Sequence, residues 1–242
     1  MLARHRGVVG WTRSLVMLIS ALACLAIAAP ARAEWFADLY LGGAFTENHD
    51  VTADFGGGFQ VKTLDVSFDK SFAGGIRGGY WFPFDLGPVN FGTGLDLSHF
   101  SPNIGRQQRV VCANNVCANG VFDDLDLSVW TVAIDLLFRF PLLKSANFPK
   151  GQLQPYITVG PAIFVAHAED DHNFQPPRQS NSDTTLGVKV GAGVMWYFTP
   201  VVAMFGEYRY THFHPDFTLA GVTDLTTDIN THYVLVGVSF HF

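Results

Sequence analysis

The stretch His232-Tyr-Val-Leu-Val-Gly-Val-Ser-Phe-His-Phe242 decides the fold. Val234, Val236, Val238, Phe240 and Phe242 fall on one face, with Tyr233, Leu235, Gly237, Ser239 and His241 on the other. Alternation with period two over this length predicts a β-strand. Chain ends usually carry small or polar residues and fray into water. This one holds bulky apolar residues to its last position. Such a strand templates aggregation unless both edges are paired. A sheet that closes around it is therefore expected.

The same alternation recurs upstream. Candidate strands cover about 35–47, 71–83, 89–100, 124–140, 155–167, 185–198 and 201–213, with 231–242 as the eighth. Long polar breaks follow the first, third, fifth and seventh, at 48–70, 101–123, 168–184 and 214–230. Short breaks follow the second (Pro83 to Pro88) and the sixth (Thr199-Pro200), and the break at 141–154 is intermediate. Long loops at one end and short turns at the other are the pattern of an up-and-down barrel in an outer membrane.

The faces separate a membrane barrel from a soluble one. In 186–198, Leu186, Val188, Val190, Ala192, Val194, Trp196 and Phe198 oppose Gly187, Lys189, Gly191, Gly193, Met195 and Tyr197. In 72–82, Phe72, Gly74, Ile76, Gly78, Tyr80 and Phe82 oppose Ala73, Gly75, Arg77, Gly79 and Trp81. A soluble barrel would need a well-charged outer face. Here the second face is small and sparsely charged, so the apolar face belongs against lipid. Aromatic residues gather near strand ends, as in the girdles at membrane interfaces. The segment 124–140 breaks parity: Leu125, Leu127 and Val129 are odd, whereas Val132, Ile134, Leu136, Phe138 and Phe140 are even. Either a bulge near Trp130 or projection of its first half above the membrane reconciles them.

With the apolar face outward, Asp38, Arg77, Asp96, Asp135, Arg139, Lys189, Glu207 and Arg209 point inward. Four acids and four bases in a narrow lumen are tolerable when matched and hydrogen-bonded. Eight strands leave an interior only wide enough for side chains, which favours a salt-bridged plug over an open conduit.

The first 33 residues have the features of a cleaved secretory signal. Arg4, Arg6 and Arg13 precede an apolar run from Leu15 to Ala29, and Ala31-Arg32-Ala33 supplies the cleavage pattern. The run is shorter than the roughly 20 residues of a spanning helix. Residues 34–242 then form one barrel domain. The alternative, a lipoprotein site at Ala21-Leu-Ala-Cys24, has its Leu out of place. Of 15 Lys and Arg, the leader removes four, leaving 11 against 21 acids, a net charge of −10. That argues against nucleic acid as a partner, because phosphate binding needs basic patches. Cys112 and Cys117, in the polar CANNVC segment, are expected to form a small loop disulfide.

Several stretches resemble the small eight-stranded outer-membrane β-barrel proteins, a family that includes the membrane domain of outer-membrane protein A, opacity-type adhesins and W-type porin-like barrels. They are Phe205-Gly-Glu-Tyr-Arg-Tyr-Thr-His212, Gln154-Pro-Tyr-Ile-Thr-Val-Gly-Pro161 and the ending with Gly237, Phe240 and Phe242. The resemblance implies an all-β, eight-stranded antiparallel transmembrane barrel. It also implies that Gly237, Phe240 and Phe242 form the C-terminal signal read by the barrel-assembly machinery. It does not imply one activity, since adhesins, tethers, narrow channels and lipid-modifying enzymes share the fold.

Two His-rich spots raise metal binding, Glu169-Asp-Asp-His172 and His212-Phe-His-Pro-Asp216. Loop polarity explains both without a metal, and no cofactor is expected. Ser98-His99 lies on opposite faces of one strand, and Ser239 and His241 share a face at the short-turn end. No nucleophile, base and orienting acid can be named from sequence, so no enzymatic activity is expected. The expected partners are outer-membrane lipid and lipopolysaccharide and an extracellular ligand for the loops; the acid of the loops fits either a solvated rim or divalent-cation bridging to lipopolysaccharide phosphates. The expected role is structural or surface-interacting; a narrow channel comes second and a lipid A-modifying enzyme third.

Overall fold

All eight alternating segments form strands. The computed structural model describes residues 34–113, 116–122, 125–170, 179–219 and 222–242. The leader with Cys24, and His172 of the first His-rich spot, lie outside the described residues. The strands are β1 (Glu34–Thr46), β2 (His49–Asp54), β3 (Gln60–Val66), β4 (Ser71–Leu86), β5 (Val89–Phe100), β6 (Gln107–Ala113) and β7 (Val116–Phe122). They continue with β8 (Asp126–Arg139), β9 (Leu153–Asp170), β10 (Gln179–Thr199), β11 (Val202–Phe213), β12 (Asp216–Leu219), β13 (Val222–Thr227) and β14 (Ile229–His241).

Eight of them close an antiparallel barrel in the order β1-β14-β11-β10-β9-β8-β5-β4. Closure satisfies the backbone groups that lipid cannot. The last strand is paired on both edges: Phe240 lies opposite Val202 of β11 and Ala37 of β1. Pairing runs to the last residue, where the Phe242 amide donates to the Trp35 carbonyl at 2.9 Å.

The long polar breaks are not loops alone. They contain β2, β3, β6, β7, β12 and β13, which form a second sheet in the order β12-β13-β2-β3-β6-β7 above one rim. Over the described residues flanking the third break, β9 and β10 stay paired from Ala168↔Asn181 to Asp170↔Gln179. Val51, Val66 and Phe68 of this upper region are buried in the same core as Phe100, Phe213 and Ile229 of the barrel.

The bulge near Trp130 is absent. Register between β5 and β8 is unbroken from Asn90↔Arg139 to Phe100↔Val129, and burial alternates along all of β8. Leu127 and Val129 face inward, where they pack with Phe100 and Phe164. The parity conflict arises because the upper lumen is filled by apolar side chains, so the inward face is not polar throughout.

The outer wall is apolar, with Leu39, Ile76, Leu95, Ile134, Val190 and Val236 exposed along it. At the short-turn rim Trp35 meets Tyr80 (centroids 5.0 Å apart), and Phe91 bridges Phe82 at 5.1 Å and Phe138 at 5.4 Å. This is the aromatic girdle that the sequence pattern predicts. At the other rim the outward row turns polar on seven of the eight barrel strands, through Lys70, His99, Ser128, His167, His212, His232 and Glu47.

Candidate functional site

Among the described residues, buried charge concentrates in the lumen. All eight inward charges sit inside, each almost fully buried. Side-chain alternation puts them there: Asp38 and Arg77 are direct cross-strand partners, and so are Arg77 and Asp96.

Seven of the eight form a central layer. Arg77 reaches Asp38 at 2.8 Å, Glu207 at 3.0 Å and Asp135 at 4.0 Å. Lys189 lies 2.7 Å from Asp135 and 3.2 Å from Asp96. Arg209 spans Asp96 at 3.2 Å and Glu207 at 2.8 Å. Tyrosines complete the shell: Tyr40 donates to Asp96 at 2.9 Å and Tyr156 donates to Glu207 at 2.8 Å. Four carboxylates thus face three cations. The surplus lies at Asp135, whose Oδ1 has no hydrogen-bond partner.

The eighth charge, Arg139, belongs to a separate layer at the short-turn rim. It grips Glu34 through two hydrogen bonds of 3.0 and 2.6 Å, and its guanidinium lies 4.2 Å from the Trp81 ring centroid. Lys150 adds a third contact to Glu34 at 2.9 Å, and His241 Nδ1 a fourth. Sequence reasoning did not include Glu34. It shares parity with Asp38, which was the available signal, but its place at the strand's start gave no alternation on its other side.

Apolar side chains, with buried hydroxyls such as Thr158, Thr211 and Thr231, fill the rest. Phe36, Trp81 and Leu137 lie between the two charged layers, and the cavity beside them measures about 10 Å3, roughly room for one water. Above the central layer Phe164 stacks on Phe213 with centroids 4.1 Å apart, and Phe100 meets Tyr233 edge-on at 5.3 Å. The inward glycines make room for these rings. A Cβ on Gly75 would lie 2.5 Å from the Tyr40 hydroxyl, and one on Gly237 would lie 2.5 Å from Phe205. Gly237 therefore has a packing role as well as its place in the ending. Phe240 and Phe242 face outward and are exposed.

Cys112 and Cys117 are cross-strand partners in the β6–β7 hairpin and are joined as a disulfide. His212 and His214 do not converge: His212 bonds Asn230 at 2.6 Å and His214 bonds Asp228 at 2.9 Å. Among the described residues no group of three or more ligating side chains could hold a metal. His99 turns away from Ser98 and pairs with Ser128 at 2.9 Å. Ser239, His241 and Glu34 do form a hydrogen-bonded chain, with Ser239 2.8 Å from His241. Ser239 is fully buried and its hydroxyl donates to Asp38, so no ester or amide can approach it.

A closed eight-stranded barrel with an apolar exterior and a girdle at one rim defines an integral membrane β-barrel protein. The chain matches the outer membrane protein beta-barrel domain family across residues 18–242 and belongs to that family. Its place is the outer membrane. Solved structures of the same fold include OprG from Pseudomonas aeruginosa, 14% identical with a TM-score of 0.53, covering 87% of this chain and 97% of that one. The outer membrane protease OmpT from Escherichia coli is 9% identical with a TM-score of 0.52, covering 88% and 98%. Neisserial surface protein A is 15% identical with a TM-score of 0.48, covering 88% and 98%. At these identities the likeness to OprG and OmpT shows the fold alone. No curated protein matches the sequence.

Proposed function

We propose that this protein is a non-conducting frame in the outer membrane whose upper sheet is presented at the cell surface for interaction. The observation that carries this reading is the lumen, crossed by the Arg77–Glu207 and Arg139–Glu34 contacts and packed with rings above and below. A conduit for small solutes would need those pairs to part, and parting a buried pair is costly. Chemistry of its own is not part of the reading: the Ser239–His241–Glu34 chain is enclosed and serves as part of the rim layer. OmpT carries the name of a protease on a similar barrel, which illustrates that fold does not assign activity.

In this reading the leader is cleaved after Ala33, and Gly237, Phe240 and Phe242 are recognised by the barrel-assembly machinery. The short-turn rim faces the periplasm, while the upper sheet meets lipopolysaccharide and external ligands. The test is a binding screen of intact cells against envelope and host components. It compares the full protein with a variant whose β2–β3 and β6–β7 hairpins are replaced by short turns. Binding that vanishes with the hairpins supports the surface role. Equal binding by a folded, hairpin-less barrel contradicts it.

A further inference from the structure

A concavity of about 590 Å3 indents the outer wall where β8 and β9 leave the apolar belt. Trp130 and Val165, cross-strand partners, form its lower part, and Ser101, Asn103, Asp126, Leu127, Ser128 and His167 line the rest. Its wall is built rather than incidental. Ile104 and Leu125 exchange two backbone hydrogen bonds of 2.9 and 2.8 Å, which ties the segment after β5 to the start of β8. The Asn103 Oδ1 accepts the Leu127 amide proton at 3.0 Å, leaving the Asn103 NH2 group as a donor. Neighbouring imidazoles are held too: His99 Nε2 lies 2.9 Å from the Ser128 hydroxyl and His167 Nδ1 lies 2.8 Å from the Ser182 hydroxyl.

The position selects the ligand class. Directly below lie Val132 and Ile163 on the lipid-facing wall, so the groove continues the barrel's own lipid contact surface. An occupant therefore has an apolar portion below and a polar head above. The head meets a carboxylate, an amide, a hydroxyl, imidazole and an indole, with no Lys or Arg among the described lining residues. A bare phosphate would face Asp126 without a fixed cation opposite it. Sugar hydroxyls suit this set, since a carboxylate and an amide accept and donate in pairs, and an indole face covers the apolar side of a sugar ring.

We propose that this groove binds the sugar headgroup of an outer-leaflet glycolipid, with its acyl portion along Trp130, Val132 and Ile163. The assignment to the outer leaflet rests on the orientation proposed above; the binding chemistry does not. The test uses the refolded chain in phosphocholine-detergent micelles, following the indole N–H resonance of Trp130, assigned with Trp130→Phe. The probes are dodecyl maltoside, free maltose and a short-chain phosphatidylglycerol. A saturable shift is expected with dodecyl maltoside and none with phosphatidylglycerol. Asp126→Asn and Asn103→Ala should each weaken apparent affinity about five- to tenfold, the effect of removing one or two hydrogen bonds. Ser128→Ala, which deletes only a hydroxyl, serves if either variant fails to fold. Absence of saturation overturns the proposal, as does an equal response to phosphatidylglycerol or unchanged affinity in the folded variants. Maltose binding as tightly as dodecyl maltoside would make this a free-sugar site and overturn the lipid assignment. None of these results depends on whether the lumen conducts.

Discussion

Arg77 of β4 and Glu207 of β11 meet at 3.0 Å across the lumen, from strands separated by β1 and β14 in the barrel order. The contact joins two walls through the centre of the molecule. It makes the interior charges a structural element with a measurable energy.

The first prediction concerns that element. Removing one partner leaves the other uncompensated in an enclosed space, at a cost of roughly 3–5 kcal/mol. Glu207→Ala and Arg209→Ala should lower the thermal midpoint of the folded gel band far more than Val190→Ala. The latter trims an outward, lipid-facing side chain and should cost on the order of 1 kcal/mol. Equal midpoints for all three would show that the central layer contributes nothing.

A second follows from the surplus carboxylate. Asp135→Asn keeps an oxygen for Lys189 while bringing the layer to three acids and three cations. It should change stability by less than about 1 kcal/mol, whereas Glu207→Gln, which weakens contacts to both Arg77 and Arg209, costs several times more. The reverse order in chemical denaturation would place the surplus elsewhere.

A third concerns the upper sheet. Phe55 and Phe59 are exposed at the β2–β3 tip, on either side of three glycines with positive φ. Chymotrypsin added to intact cells should cut there and spare 141–154. Cleavage confined to 141–154 would mean that the barrel is inserted with the opposite orientation.

A fourth is a pH dependence of the same region. Hydrogen bonds from His232, Lys62 and His214 hold the carboxyls of Glu47, Asp50 and Asp228, respectively, below the usual carboxylate range. A depressed folded-state pKa gives stability that is present above the unfolded value of about 4 and is lost as pH falls through the folded value. Acidification below about pH 4 should therefore loosen the upper sheet while the barrel persists. Pepsin trimming of the hairpins with retention of a barrel-sized core would show this; uniform resistance would refute it.

The barrel was legible in sequence because lipid imposes one rule on every strand. Val190, Val236 and Ile134 must face out, and parity then places Lys189, Leu235 and Asp135 inside. Where a second environment competes, the rule fails. Leu127 and Val129 are apolar and inward because they pack against Phe100 and Phe164 in the upper lumen, which makes β8 look out of register. The upper sheet escaped notice because β2 and β6, HDVTAD and QQRVVCA, have no continuously buried face. Glu34 was missed at a strand end, and with it the reason why Arg139 and His241 lie where they do.

Planar-bilayer recording of the refolded wild-type protein asks whether the lumen is sealed. A flat baseline is expected at all applied voltages, with steps appearing only when Arg77 or Glu207 is truncated. Discrete, reproducible single-channel steps from the wild-type protein would contradict it.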